Sequence, residues 1–372
     1  MIKYVLLVLL LSTLNTTRGQ DRIRDLGLEI GIFKTGANNH ITDVRGVSVG
    51  HKTIVRGSNI RTGVTAIIPD TGNLFQNKLP AAIHLGNGFG KLAGYSQVEE
   101  LGNIETPIIL TNTLSVSAGI EGLIRYTLDQ PSNHQVRSVN AVVGETNDGR
   151  LNDIRGLHVT VQDVFDAIES ASSDNTQEGN IGAGTGTICF GYKGGIGSSS
   201  RVLPSSLGGH TIGVLVQSNF GGVLDIDGIP FGKLMNQYPF ASEIQNPDGS
   251  CMIVVVTDAP LDSRNLKRLA KRAMLGLART GGMSSNGSGD YVIAVSTARN
   301  IKYPYQSDTH MIEQSVLRND AMSPLFQAVI ESTEEAILNS LMAAQDMTGR
   351  NNYFVPALDK DKLKDLIKQH KK

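Results

Sequence analysis

The stretch that decides the fold is Gly249-Ser250-Cys251-Met252-Ile253-Val254-Val255-Val256-Thr257. Residues 252–257 form an unbroken apolar, β-branched run of strand length, which predicts a strand buried on both faces. The preceding segment, from Asn219 to Gly249, is polar and contains several prolines and amides, so we expect a long loop there. A loop therefore delivers a glycine-serine pair to the start of a core strand.

Strand and helix patterns alternate around this junction. Thr160 and either Asp262 or Ser263 are candidate helix N-caps. Further β-branched runs predict strands over 64–69, 108–110, 139–144 and 211–216. Apolar residues at helical spacing predict helices over 160–173, 264–279, 325–347 and 359–372. This mixture predicts a layered α/β or α+β protein.

Composition excludes several classes of protein. The 372 residues carry 34 Lys and Arg against 35 Asp and Glu, so the basic surplus of a general nucleic-acid binder is missing. With 40% hydrophobic residues and a net charge of −1, the chain does not resemble a disordered protein. The 41 glycines show no three-residue period, which excludes collagen.

The first 19 residues predict a secretory signal peptide. Lys3 precedes an uncharged run over residues 4–14, and a polar stretch follows to Gly19. The run is too short to span a bilayer as a helix, and an N-terminal anchor or buried helix is the alternative. We therefore expect an exported protein, periplasmic or secreted, that is not held in a membrane after the signal is removed.

Metal and disulfide chemistry have little support. Only Cys189 and Cys251 are present, far apart in the chain, and two buried free thiols are favoured over one disulfide. Neither paired-cysteine spacing nor His-Glu-x-x-His occurs, so we predict no metal site. The glycine-rich segments 86–90 and 182–186 complete neither the dinucleotide nor the phosphate-loop pattern, and we interpret them as turns.

Nucleophilic chemistry is the remaining possibility. A conventional Ser-His-Asp triad is weakly supported, because no Gly-x-Ser-x-Gly elbow is evident and residues 286–290 have no obvious histidine partner. A serine at a chain's N-terminus needs no histidine, since its own α-amine, with a pKa near 8, serves as base. The Gly249–Ser250 bond has the form that a serine hydroxyl can cut for itself, although a plain loop-to-strand turn is the alternative for this common dipeptide.

Several blocks in the same order resemble the DmpA/BapA family of self-processing serine peptidases, which comprises β-peptidyl aminopeptidases and L-aminopeptidase/D-esterases. The resemblance spans roughly residues 25–350. Its blocks are 41–44, 47–51, 105–108, 143–149, 182–186, 189–191, 193–197, 213–221, 249–250, 254–261, 266–270, 276–281 and 286–290.

The resemblance implies an α+β fold, a four-layer αββα sandwich that is layered like the N-terminal-nucleophile hydrolases but connected differently. It implies one domain made of two chains, 20–249 and 250–372, assembled into tetramers of two-chain protomers. It implies neither a metal nor an organic cofactor.

The resemblance also assigns roles to single residues. Ser250 is the nucleophile, and Asn219 stabilises the oxyanion. Ser288 and Asp290 position the hydroxyl and the amine of that serine. Family members can carry Glu at position 290, so the shorter Asp of this chain leaves the substrate preference open between β-amino-acyl peptides and short L- or D-aminoacyl amides and esters.

Two further residues are implied as substrate contacts. Glu145 binds the free amino group of the substrate, and Asn112 makes another polar contact. The alternative is that Glu145 and Asp290 cap turns and that Asn219 satisfies loop backbone.

The sequence thus predicts an exported aminopeptidase that cuts itself between Gly249 and Ser250. It then removes N-terminal residues from short peptides, amides or esters through an acyl-enzyme on Ser250. Two alternatives stay open: a catalytically silent binding protein of the same fold for amino acids or small peptides, and a hydrolase that uses a histidine base.

Overall fold

The computed structural model describes residues 21–174, 176–239 and 249–370. The predicted signal peptide over residues 1–19 lies outside them. The helices are α1 Tyr95–Leu101, α2 Val116–Leu128, α3 Val161–Glu169, α4 Phe231–Leu234, α5 Ser263–Arg279, α6 Ser323–Met342 and α7 Lys360–His370. The strands are β1 Ser48–Arg56, β2 Ile60–Ile68, β3 Asn77–Gly88, β4 Leu92–Ala93, β5 Asn103–Ile104, β6 Ile108–Asn112, β7 Val142–Thr146, β8 Ile188–Cys189, β9 Tyr192–Lys193, β10 Gly195–Val202, β11 Thr211–Asn219, β12 Ser250–Thr257, β13 Gly289–Ser296, β14 Tyr303–Pro304, β15 Met347–Thr348 and β16 Phe354–Val355.

Two mixed sheets form the middle of the molecule. The first has the strand order β1-β2-β6-β7-β4, in which β6 and β7 are parallel and α2 connects them. The second has the order β10-β11-β12-β13-β3-β14, with β5 also paired to β3. Its parallel pair is β12 and β13, which α5 connects. Each parallel pair thus has the helical crossover that parallel strands require.

Three apolar clusters hold four layers together. The cluster between the sheets includes Ile108 and Val142 of the first sheet with Val254 and Ile293 of the second. A second cluster packs α2 and α3 on the outer face of the first sheet, and a third packs α5 and α6 on the second. The predicted four-layer αββα sandwich is therefore confirmed. Within the described ranges, no helix is long and apolar enough to cross a membrane.

Strand β12 explains why its sequence is apolar without alternation. Met252 and Val254 contribute to the core between the sheets, whereas Ile253 and Val255 belong to the cluster under α5 and α6. Every residue of the strand is buried, because both faces of the sheet are covered. The prediction of a buried core strand is confirmed.

Two helices end before the predicted boundary, because the residues that follow them pair with other strands or form bridges. Thr160 and Asp262 cap α3 and α5 as predicted, each accepting a backbone N–H of the first turn. However, α3 ends at Glu169, because Ser172 pairs with the backbone of Val49. Similarly, α6 ends at Met342, and residues 347–348 form β15 instead.

The predicted loop between Asn219 and Gly249 is only partly a loop. Residues 240–248 lie outside the described ranges. Within the described part, Ile226, Ile229 and Phe231 are buried in the cluster beneath α5 and α6, and α4 begins at Phe231. Polar composition concealed these three anchors, which fix the segment to the core.

A buried charge network joins distant parts of the chain. The side chains of Arg201 and Glu335 are fully buried and lie 2.7 Å apart, and Glu335 also pairs with Arg24 at 2.7 Å. Arg201 contacts Glu331 as well, at 3.2 Å. Burial by itself would raise the pKa of Glu335, but the hydrogen bond from Arg24 and the charge of Arg201 hold that pKa below its ordinary value.

We expect Glu335→Gln to destabilise the protein by about 3–5 kcal/mol, because it leaves two arginines without their shared carboxylate. Glu121→Gln removes an exposed pair with Arg125 and should cost less than about 1 kcal/mol. Urea unfolding measures both. Since the pKa of Glu335 is lowered by folding, its contribution is complete at neutral pH and is lost as the pH falls below about 4. Equal losses in the two variants would contradict this account.

Candidate active site

A cavity of about 1150 Å³ opens where β11 ends and β12 begins. Glu145, Asn219, Gly249 and Ser250 line it, so four of the residues singled out from the sequence meet in one place. Aromatic side chains supply much of the remaining wall, together with two cationic ones. They are Phe89, Phe190, Phe220, Tyr238 and Tyr353, with Lys91 and Arg150.

Strand register sets the position of Ser250. As the first residue of β12 it faces Asn219 on antiparallel β11 and Gly289 on parallel β13. Its hydroxyl donates to the carbonyl oxygen of Gly249 at 2.7 Å and accepts the Gly289 N–H at 3.2 Å. The same N–H also lies 3.2 Å from the Gly249 oxygen. The hydroxyl therefore lies against the carbonyl group of its own preceding peptide, and one backbone N–H is shared between them.

Gly249 occupies a position that only glycine fits. A Cβ atom there would lie 2.8 Å from the Cα of Phe220 and 3.2 Å from the carbonyl oxygen of Asn219. Both contacts are with backbone, which cannot move aside as a flexible side chain can. The glycine before the serine thus has a steric reason in the fold.

Two backbone groups orient the side-chain amide of Asn219. Its Oδ1 accepts the Ile188 N–H at 2.9 Å, and its Nδ2 donates to the carbonyl oxygen of Asn147 at 3.0 Å. An amide nitrogen carries two hydrogens, so one N–H remains available for a ligand in the cavity. Sequence reasoning missed both partners, because backbone donors and acceptors have no residue-type signal.

Ser288 and Asp290 form a buried pair beside Ser250. The Ser288 hydroxyl donates to Oδ1 of Asp290 at 2.8 Å, and Asp290 is aligned with Cys251 on the adjacent strand. Oδ2 of Asp290 is buried and receives no hydrogen bond from the described residues. Burial raises the pKa of Asp290, and the hydroxyls of Ser288 and Ser284 and the backbone of Cys251 oppose that effect. An unsatisfied buried carboxylate oxygen is a site for a cationic or donating group.

Glu145 is a buried carboxylate without a cationic partner in the part of the chain that the structure describes. Only 3% of the residue is exposed. Its oxygens accept the Lys91 backbone N–H at 2.9 Å and the Thr113 hydroxyl. Burying a charge without a counter-ion is costly, so a cationic ligand in the cavity would be bound favourably.

Asn112 lies outside the cavity lining. It is 2% exposed, its Nδ2 donates to the Thr62 hydroxyl at 2.8 Å and its Oδ1 accepts the Leu114 N–H at 3.1 Å. These contacts give Asn112 a role in holding the loop after β6.

Asp148 was not identified from the sequence. It is fully buried, and burial raises its pKa to about 7.

The two cysteines are free and buried, as predicted. Burial raises the pKa of Cys189 to about 12 and that of Cys251 well above its ordinary value. Cys251 packs in the cluster beneath α5 and α6, so it does not compete with Ser250 as a nucleophile.

We expect Ellman's reagent to detect no thiol in the native protein and both thiols after denaturation, because the thiolate form is unavailable in the core. A non-reducing gel of the denatured chain should show no mobility shift on reduction. Rapid labelling of the native protein would contradict the buried positions of Cys189 and Cys251.

The chain is similar to known proteins along most of its length. The family model described as peptidase family S58 matches residues 39–355. The β-peptidyl aminopeptidase BapA of Sphingosinicella microcystinivorans is 38% identical, over 94% of this chain and 93% of that protein. The protein of the same name from Sphingosinicella xenopeptidilytica is 37% identical, over 93% of this chain and 91% of its own.

Solved structures agree in fold as well as in sequence. The PH0078 protein from Pyrococcus horikoshii OT3 is 44% identical, with a TM-score of 0.88 over 95% of this chain and 100% of its own. A β-aminopeptidase from Burkholderia sp. is 38% identical, with a TM-score of 0.87 over 94% and 99% of the two chains. The L-aminopeptidase D-Ala-esterase/amidase from Ochrobactrum anthropi, 37% identical, has a TM-score of 0.87 over 94% and 99%. That enzyme is described as a new variant among the Ntn hydrolase fold, and the present chain shares this fold.

Proposed function

This chain belongs to peptidase family S58, as the resemblance of its sequence predicted. From that premise we propose that it is an exported serine aminopeptidase that processes itself. It cuts its own Gly249–Ser250 bond and then releases N-terminal residues from short peptides, amides or esters. The observation that carries this proposal is the Ser250 hydroxyl, 2.7 Å from the Gly249 carbonyl oxygen and lining a cavity that also presents Asn219 and Glu145.

Self-cleavage would begin at the hydroxyl of Ser250. As its oxygen attacks the carbonyl carbon of Gly249, the hydroxyl gives up its proton to a base. The C–N bond then breaks, and the Ser250 nitrogen takes up a proton in turn to become an amine. The product is an ester between Gly249 and the serine oxygen. Water then hydrolyses this ester, which leaves a carboxylate on Gly249 and restores the hydroxyl of Ser250. The Gly289 N–H, 3.2 Å from the Gly249 oxygen, is placed to stabilise the charge that develops there.

Turnover would use the amine that processing creates. The Ser250 amine takes the proton of its own hydroxyl, and the oxygen attacks the carbonyl carbon of the substrate. The free N–H of Asn219 donates to the resulting oxyanion. The leaving amine or alcohol departs with a proton, and water hydrolyses the acyl-enzyme. Oδ2 of Asp290 is available to hold the Ser250 amine, and Ser288 orients that carboxylate through its 2.8 Å hydrogen bond.

Glu145 gives the proposal its aminopeptidase character. A buried carboxylate that lacks a counter-ion among the described residues pairs well with the ammonium group of a substrate. The preference among β-amino-acyl, L-aminoacyl and D-aminoacyl substrates is left to experiment. A tetramer of two-chain protomers and an exported location, periplasmic or secreted, belong to the same proposal and rest on the sequence.

Processing is tested by denaturing mass spectrometry of the purified protein. We expect two chains, the second beginning at Ser250, and a single intact chain for Ser250→Ala. Gly249→Ala should slow processing at least ~10-fold, because the added Cβ meets the Phe220 backbone and displaces the scissile bond. Gly72→Ala is the matched control, since its Cβ has space, and it should process normally.

An intact wild-type chain that still binds small peptides would favour the silent binding protein. An intact chain that loses turnover when one histidine is replaced would favour a histidine base. Either result would overturn the self-processing mechanism.

Replacing Asn219 and replacing Glu145 should affect different steady-state constants on aminoacyl p-nitroanilides. Asn219→Ala should lower kcat about 10²–10³-fold with little change in KM, because its N–H acts mainly on the transition state. Glu145→Gln should raise KM, and it should abolish the discrimination against N-acetylated substrates that carry no ammonium.

Glu105→Gln is the matched control for Glu145. Glu105 is also a buried carboxylate, but it pairs with Lys78 and does not line the cavity. Its loss should lower stability and leave KM unchanged. If Glu145→Gln behaved like this control, Glu145 would have no role in substrate binding.

A further inference from the structure

Lys193 is a buried cation that the mechanism above does not use. It lies on β9 and is fully buried. Its Nζ donates to the carbonyl oxygens of Gly184 and Gly194, at 2.9 and 2.7 Å, and it forms no ion pair with a carboxylate in residues 21–174, 176–239 and 249–370. The charge of Asp148 acts on Lys193, but without a direct ion pair. Because burying an ammonium group without a directly bonded counter-ion is costly, the position of this lysine needs a physical explanation.

The two carbonyl groups lie at the two ends of residues 184–194, a turn that includes the paired strands β8 and β9. Lys193 joins these two ends. Gly184 also accepts the Thr187 hydroxyl at 3.0 Å, and the Gly194 N–H donates to the carbonyl oxygen of Thr187 at 3.1 Å. Residues 184–194 are thus folded back on themselves, with the Lys193 nitrogen bridging their two ends. Burial lowers the pKa of Lys193 to about 7, and even the uncharged amine has the two hydrogens that the two carbonyls need.

The outer side of this turn supports the cavity wall. Ile188 donates its N–H to Oδ1 of Asn219 at 2.9 Å, and Phe190 donates its N–H to the carbonyl oxygen of Phe220 at 2.7 Å. The Ile188 N–H and the Asn147 carbonyl oxygen together fix which end of the Asn219 amide is the acceptor. If the Ile188 N–H moved away, one of these two bonds would be lost, and the amide would be freer to turn over and present its oxygen, which would repel a developing oxyanion.

We propose that Lys193 is a positioning residue, which holds the turn 184–194 so that Asn219 presents an N–H rather than an oxygen beside Ser250. It acts through Ile188 and touches neither the substrate nor the nucleophile. The inference rests on the proposed function, because it assumes that the Asn219 N–H stabilises an oxyanion.

The test compares Lys193→Met with Lys78→Met. Methionine has a side chain of similar length and cannot donate the hydrogen bonds to Gly184 and Gly194. Lys78 is a mostly buried lysine that pairs with Glu105 away from the cavity, so its loss reports a purely structural effect. Turnover is measured per processed active site, with processing counted by mass spectrometry. We expect Lys193→Met to lower kcat at least 10-fold with KM within about 2-fold, and Lys78→Met to lower stability alone.

A double-mutant cycle separates positioning from general damage. In Asn219→Ala the amide is absent, so adding Lys193→Met should cause little further loss of kcat. If Lys193→Met fails to fold, Thr187→Val removes another bond to Gly184 from the same turn and should show the same non-additivity at a smaller magnitude. Independent, multiplicative losses of kcat would overturn the inference, as would an unchanged kcat in Lys193→Met.

A crystal structure of Lys193→Met gives a readout that does not need activity. We expect the hydrogen bond between Ile188 and Asn219 to lengthen or the amide to turn over. An unchanged Asn219 in that variant would refute the role of Lys193, even if the protein were an active aminopeptidase. Absence of peptidase activity in the wild type would refute the proposed function instead, and the geometry of Asn219 would still be decided by the structure.

Discussion

The site depends on the register of one strand. Strand β12 starts at Ser250 between β11 and β13. Ser250 is therefore aligned with Asn219 on one side and with Gly289 on the other. A slip of one residue would turn Cys251 toward the space that Ser250 occupies and reverse every side chain of the strand. The apolar residues on both faces of β12 prevent that slip, since each face packs in a different core cluster. The core thus positions the chemistry.

The same arrangement explains how a chain cut before Ser250 would stay together. β12 is flanked by β11, from the part of the chain before the proposed cut, and by β13, from the part after it. The buried network adds a second connection, because Arg24 and Arg201 precede the cut whereas Glu335 follows it. Neither connection passes through the Gly249–Ser250 peptide. Breaking that bond would therefore cost few of the contacts that stabilise the fold.

Sequence patterns located the elements and residue types but not the contacts between them. The β-branched run over 252–257 and the caps Thr160 and Asp262 were predictable, because strand burial and capping depend on local composition. The Gly249–Ser250 junction singled out Ser250, but only the family resemblance joined it to Asn219 and Glu145, since these residues are remote in sequence. The turn that Lys193 closes had no signal at all, because its bonds are to backbone carbonyls. Asn112 was also named through the resemblance, and its side chain is bonded within the fold and lies outside the cavity lining.

The two proposed reactions of Ser250 cannot share a base. In the uncut chain its nitrogen belongs to a peptide bond and does not accept a proton, so the amine that serves turnover is absent during processing. Asp290, aligned with Cys251 and carrying an unsatisfied Oδ2, is present in both states. Burial raises its pKa, which makes its carboxylate a better proton acceptor than an exposed aspartate. In the proposed mechanism, Asp290 therefore has a different use on each side of the cleavage: a proton acceptor before it, and a partner for the new amine after it.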